Sequence, residues 1–141
     1  MLYWIASNLE VCPMITGIGV DLCSISRIQK IIDRDGPEGP FFRKTFTAAE
    51  QKEAESRKDK AAFYAARFAA KEAVFKALSA SGIKGLDLRT IETLHTADGR
   101  PFFRPTEEIQ LLLSSAGVDA IHLSVTTESD FAQAFVVAEG D

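Results

Sequence analysis

The sequence predicts an α+β domain, with helices in the N-terminal half packed on a largely antiparallel sheet. Three observations point there. The helical signals fall in the first half, and the longest runs without proline from Lys60 to Ala80. The second half alternates apolar and polar residues in short runs broken by turn residues, which is the pattern of hairpins. No repeat, low-complexity tract or long linker divides the chain, so its 141 residues suit one domain, 1–141, around one core.

The elements follow in order. Met1 to Ile5 is apolar but short, lacks a basic flank and soon meets Asn8 and Glu10. It reads as an irregular or strand-like lead-in over residues 1–13, with no assignable role, and not as a signal peptide. Ile15 to Leu22 reads as a strand. Ser24 can cap a helix that carries Ile25, Ile28, Ile31 and Ile32 on one side. Arg27, Lys30 and Arg34 form a basic stripe on the same helix. Asp35 to Pro40 must break it. Thr47-Ala48-Ala49-Glu50 is a capping box for a helix through about Ser56, and the long helix from Lys60 ends near Gly82. Thr90 to His95 and Pro101 to Arg104 read as strands around an Asp98-Gly99 turn. Thr106 caps a helix through Leu113, closed by Gly117. Ile121 to Thr127 and Phe131 to Glu139 are strands joined by Glu128-Ser129-Asp130, and the first strand is expected to join their sheet.

Composition narrows the function classes. Hydrophobic residues at 46% and charged residues at 26% are ordinary for a soluble globular protein. No apolar run approaches the roughly 20 residues that cross a membrane. Cys12 and Cys23 are too few for a disulfide framework or a thiolate metal site, and read as free thiols in a reducing cytoplasm. A net charge of -4 argues against non-specific nucleic-acid binding. Basic residues still gather at Arg27, Lys30, Arg34, Arg43 and Lys44, and again at Arg57, Lys58 and Lys60. Such patches on an acidic chain suit a local anionic partner, although a solvated charged face is the plainer account of either one alone.

Two segments carry chemistry. In Thr16-Gly17-Ile18-Gly19-Val20-Asp21, strand alternation puts Ile18, Val20 and Leu22 on one face and Gly17, Gly19 and Asp21 on the other. The second face is bare up to the carboxylate, so a ligand or a packed helix must approach its backbone closely. In Arg67-Phe68-Ala69-Ala70-Lys71-Glu72, with Phe75 and Lys76 following, Glu72 shares a helical face with two aromatics and needs a cation. Lys76 can supply it. A metal shared with Asp21 is the alternative, since two carboxylates beside phosphates form the usual surroundings of Mg²⁺. Arg67 and Lys71, one turn apart, make a cationic ladder suited to phosphate oxygens.

Taken together, Gly17 to Asp21, Arg27-Ile28, Arg67 to Ala73 and Lys76-Ala77-Leu78 resemble the holo-acyl-carrier-protein synthase family, the small trimeric branch of the 4′-phosphopantetheinyl transferases. Phe46-Thr47 with Glu50, Gly99-Arg100-Pro101, Leu123-Ser124-Val125 and Ala132 through Val137 echo the same family in the same order. The resemblance implies an enzyme of that fold. It would transfer 4′-phosphopantetheine from coenzyme A to a serine of an apo acyl carrier protein and release adenosine 3′,5′-bisphosphate. It implies Asp21 and Glu72 as Mg²⁺ ligands and catalytic residues, with Glu72 or a water beside Asp21 as general base. Arg67, Lys71 and Lys76 would face the coenzyme A phosphates, and Gly82 would lie in a nucleotide loop from Ser81 to Gly85. Arg27, Lys30 and Arg34 would dock the acidic carrier protein. A homotrimer with active sites between subunits is implied as well. Where the family usually carries a histidine, Thr127 stands in this chain. That departure keeps open a carrier-protein-binding module with weakened catalysis, and the same carboxylate pair would also serve an unrelated metal-dependent nucleotide hydrolase. His122 lies on the other strand face from Thr127 and cannot replace that histidine, so it and His95 read as ordinary strand histidines.

Overall fold

The computed structural model describes residues 12–141, and the lead-in up to residue 11 lies outside them. Strand β1 (Met14–Ser24) runs directly into helix α1 (Ile25–Asp35). Ser24 ends the strand and caps the helix, its Oγ accepting a hydrogen bond from the Arg27 backbone N–H. Gly36, with φ 79°, closes α1. Helix α2 (Pro40–Thr45) follows at once and is an addition to the expected elements. Pro40 supplies the preset φ of a first helical residue, and the buried Phe42 and Thr45 hold the turn down. Helix α3 (Ala48–Glu55) opens with the expected capping box: Thr47 Oγ1 accepts from the Glu50 N–H, and Glu50 Oε1 accepts from the Thr47 N–H. Helix α4 (Lys60–Ala80) is the longest element, as expected, and Asp59 caps it.

The C-terminal half holds a 3₁₀ turn (Leu88–Thr90), the hairpin β2 (Ile91–His95) and β3 (Pro101–Pro105), helix α5 (Glu107–Ser115), and the long strands β4 (Val118–Glu128) and β5 (Phe131–Gly140). The α+β class is as expected, and every strand pairing is antiparallel. The strands divide into a three-stranded sheet, ordered β1-β5-β4, and the separate β2–β3 hairpin. The first strand does join the main sheet.

Helix α4 crosses the inner face of that sheet at backbone distance. A Cβ on Gly19 would lie 1.8 Å from the Ala73 carbonyl oxygen, and one on Gly17 would lie 2.1 Å from that of Ala77. The bare face of β1 is therefore bare for a helix. Alanines complete the contact from both sides: Ala73 and Ala77 on α4, and Ala132, Ala134 and Ala138 on β5. A second layer of Phe42, Phe46 and Tyr64 packs beneath α2 and α3, with Tyr64 ring centroids 4.6 and 4.7 Å from those of Phe42 and Phe46. Among the described residues the outer face of the sheet has no such cover. Ile18, Val20, Leu22, Phe131 and Phe135 are 46–59% exposed there.

Candidate active site

Because Gly17 and Gly19 let α4 settle onto β1, the next inward residue, Asp21, emerges beside the C-terminal half of that helix. Lys76 reaches across the junction. Its Nζ donates to Asp21 Oδ1 at 3.0 Å and to the Val20 carbonyl at 2.9 Å. Glu72 lies one turn earlier on the same helix face and is partly buried. Burial raises its carboxyl pKa above the usual value, the negative charge of Asp21 raises it further, and Lys76 and Arg27 oppose the shift. Cys23 sits in the same field, and burial pushes its thiol up to about 11.

Two carboxylates that repel each other, with one lysine paired to Asp21 alone, make a site short of positive charge. The donor set fits a hard divalent cation, with the Lys76 ammonium standing in for it on Asp21. Among the described residues no group of three or more His, Cys, Asp or Glu side chains gathers for a metal. The remaining ligands of a cation here would thus be water and substrate oxygens, which is how Mg²⁺ is commonly held.

Arg67 and Lys71, expected beside the phosphates with Lys76, lie on a different face of α4 from it. Lys71 and Glu50 are both 0% exposed, with Nζ 2.6 Å from Glu50 Oε1. The same ammonium donates to the Leu88 and Ile91 carbonyls at 2.9 and 2.8 Å. Glu50 Oε2 accepts from the Thr93 hydroxyl at 3.2 Å. Lys71 is thus a fully bonded interior strut between α3, α4 and the start of β2. Arg67, 3% exposed, donates to Glu53 Oε2 at 2.9 Å and to His95 Nδ1, and its guanidinium lies 4.9 Å from the Phe63 ring centre. Its Nε is buried without a partner among the described residues. The physical reason is helical phase. Lys71 and Lys76 are five residues apart, so they point about 140° away from each other. Lys76 takes the β1 side, and the other two take the α3 side.

His95 is more than an ordinary strand residue, because its Nδ1 accepts the Arg67 hydrogen bond and must be unprotonated to do so. Burial and the adjacent guanidinium lower its pKa accordingly. The 3.7 Å approach of Glu53 to the same nitrogen is therefore not an ion pair. His122 is exposed on the outer sheet face beside Glu139. Cys12 and Cys23 are both free thiols.

The other expected site residues spread around this centre. Thr127 is exposed and pairs with Ala132, which in turn pairs with Cys23. It therefore shares the inner face with Asp21 but stands two strands away from β1, about 10 Å. Gly82 adopts φ 99° with open space around it, in a loop anchored by a 3.1 Å hydrogen bond between Ser81 Oγ and Thr16 Oγ1. That anchor lies about 15 Å along β1 from Asp21. Arg27, Lys30 and Arg34 are exposed on one side of α1 while Ile28 is buried on the other. Arg34 also pairs with its neighbour Asp35 at 2.8 Å. Sequence reasoning missed the ion-pairing roles of Glu50 and Glu53. They lie on the charged side of a short helix and give no local sign of the cations they receive.

Comparison with known proteins identifies the family of this fold. The model of the 4′-phosphopantetheinyl transferase superfamily matches residues 17–136. A curated holo-[acyl-carrier-protein] synthase of Brucella ovis is 42% identical over 130 residues, covering 89% of this chain and 96% of its own length. The crystal structure of the holo-[acyl-carrier-protein] synthase from Neisseria meningitidis superposes with a TM-score of 0.79 at 36% identity, covering 89% of this chain and 98% of that one. The Bacillus anthracis enzyme, solved in complex with CoA (3′,5′-ADP), superposes with a TM-score of 0.71 at 30% identity, covering 91% and 99%. With the family match spanning nearly all of the described fold, the chain belongs to the 4′-phosphopantetheinyl transferase superfamily and, within it, to the holo-acyl-carrier-protein synthases.

Proposed function

We propose that this chain, as one domain, transfers 4′-phosphopantetheine from coenzyme A to a serine of an apo acyl carrier protein in the cytoplasm. The reaction depends on Mg²⁺ and releases adenosine 3′,5′-bisphosphate. The observation that carries this reading is the charge-deficient pair Asp21 and Glu72, set where β1 meets α4 and within electrostatic reach of Arg27 on α1. The Bacillus anthracis relative, solved with CoA (3′,5′-ADP), supports the choice of co-substrate.

Asp21 and Glu72 would hold the metal. When bound, Mg²⁺ supplies neutralisation and polarisation of the pyrophosphate. Lys76, half-exposed on its flexible stem, can turn from Asp21 to a phosphate oxygen. The serine hydroxyl attacks the phosphorus that bears the pantetheine arm, the bond to the adenosine-side phosphate breaks, and Glu72 or a water beside Asp21 would take the serine proton. The Cys23 thiol at about 11 stays protonated and offers no competing nucleophile. Gly82 leaves room for the nucleotide, and Thr127 offers a hydroxyl to a phosphate.

The direct test is the intact mass of an apo carrier protein after incubation with this protein, Mg²⁺ and coenzyme A. A gain of one phosphopantetheine is the expected result. Free phosphopantetheine with an unmodified carrier would show a hydrolase instead.

Arg27, Lys30 and Arg34 form the docking face for the acidic carrier protein in this reading. Arg27→Glu is expected to raise the carrier-protein KM at least about tenfold, because a like charge then meets the partner. The coenzyme A KM should stay unchanged, and added salt should weaken docking of the wild type. Steady-state kinetics at two ionic strengths check both.

A homotrimer is what the family resemblance implies, and the exposed Ile18, Val20, Leu22, Phe131 and Phe135 of the outer sheet face offer it an apolar contact surface. Light scattering at micromolar concentration should report three copies, and Val20→Glu should report one.

A further inference from the structure

We infer that Asp130, in the turn between β4 and β5, is a positioning residue for carrier-protein docking, acting through the first turn of α1 to fix the basic stripe relative to the Asp21–Glu72 pair. It rests on α1 being the docking face.

Asp130 makes four hydrogen bonds to the junction where β1 becomes α1. Its Oδ2 accepts from the hydroxyls of Ser24 and Ser26, each at 2.9 Å. Its Oδ1 accepts from the Ser26 backbone N–H at 2.9 Å, and its carbonyl oxygen accepts from the Ile25 N–H at 2.7 Å. One residue from a distant strand turn thus satisfies two of the backbone donors that a helix start leaves open. It also orients Ser24, the cap that receives the Arg27 N–H. A carboxylate at this end of a helix is favoured by the helix dipole. These bonds lower its pKa, with the Ser26 hydroxyl the largest cause.

The turn is shaped for this contact. Ser129 is the one non-glycine residue with positive φ among the described residues, at 55°, and it stands immediately before Asp130. The junction ties the parts that must cooperate. Asp21 is three residues before Ser24 on β1, and Arg27 is three residues after it on α1. Thr127 ends the inner face of β4 three residues before Asp130. The contact is peripheral to the core, so its loss frees the first turn of α1 without opening the packing around Ile28.

Asp130→Ala is expected to raise the carrier-protein KM about five- to tenfold, the effect of losing a helix cap converted to affinity. The kcat and the calorimetric affinity for coenzyme A should stay within about twofold of wild type. Asp130→Asn, which keeps an acceptor for the Ser26 N–H, should recover part of the loss. Ser26→Ala should raise the same KM, and the double variant Ser26→Ala/Asp130→Ala should be no worse than Asp130→Ala alone, because both break one contact. A lowered kcat or an equal rise in both KM values would mean diffuse structural damage and overturn the inference. So would an unchanged carrier-protein KM in Asp130→Ala where Arg27→Glu raises it. If Arg27→Glu itself leaves that KM unchanged, the docking face has failed, and this inference fails with it.

Discussion

Asp21→Asn and Glu72→Gln are each expected to lower transfer about 10²–10³-fold, the usual cost of removing one group that stabilises transition-state charge. Each variant is isosteric. The amide in Asp21→Asn keeps an acceptor for Lys76 but loses the charge that holds the ammonium. The amide in Glu72→Gln relieves the repulsion that now raises the Glu72 pKa. Neither change disturbs the α4–β1 contact, which rests on Gly17, Gly19 and the alanines. Circular dichroism should therefore match wild type while single-turnover transfer collapses. A variant that kept near wild-type turnover at saturating Mg²⁺ would remove that residue from the site.

The same pair sets a pH signature. The folded pKa of Glu72 lies above its unfolded value, so in the metal-free protein this group contributes stability fully present below the unfolded pKa. That contribution is lost as pH rises through the folded value. Glu72→Gln should therefore raise the metal-free melting temperature at neutral pH and leave it nearly unchanged in acid. Metal binding runs the other way, because a protonated Glu72 is a poor ligand. Mn²⁺ affinity, followed by electron paramagnetic resonance, should weaken as pH falls and begin to do so above the ordinary carboxylate range. Calorimetric melts across pH give the second readout.

How much of this was legible depends on the range of the interaction. The capping box at Thr47 and Glu50, the proline-free run of α4 and the hairpin turns are local signals, and the elements appear where those signals put them. Helix α2 has six residues, too few for a period to show. On β1 the alternation of faces is readable, but not whether a ligand or a helix approaches the bare one. The apolar side, Ile18, Val20 and Leu22, is the open one, because α4 needs the glycines in order to approach. The site shows the same division. Asp21, Glu72 and Lys76 meet through one helical turn and one strand end. The partners of Arg67 and Lys71 come from α3, and those of Asp130 come from α1, more than a hundred residues earlier in the chain. No local window of sequence contains such pairs.

Lys71 offers the sharpest separation between a phosphate ligand and an interior strut. Were it a ligand, Lys71→Ala would raise the coenzyme A KM and leave the melting temperature nearly unchanged. In this structure the ammonium is 0% exposed and bonded to Glu50, to the Leu88 carbonyl and to the Ile91 carbonyl. Lys71→Ala leaves the Glu50 carboxylate buried without its cation, and breaking such a pair costs about 3–5 kcal/mol. For a chain of this size that corresponds to a fall in melting temperature on the order of 10–20 °C. Glu50→Ala should cost at least as much, since it also strips the capping box of α3 and the Thr93 hydroxyl of their acceptor. Replacing both, as Glu50→Leu with Lys71→Met, removes the unpaired charge and should recover part of the loss. Recovery should stay incomplete, because the Leu88 and Ile91 carbonyls and the Thr47 N–H are left without partners. Thermal melts of the three variants beside coenzyme A titrations decide the matter. A stable Lys71→Ala protein with weakened coenzyme A binding would return Lys71 to the cofactor site.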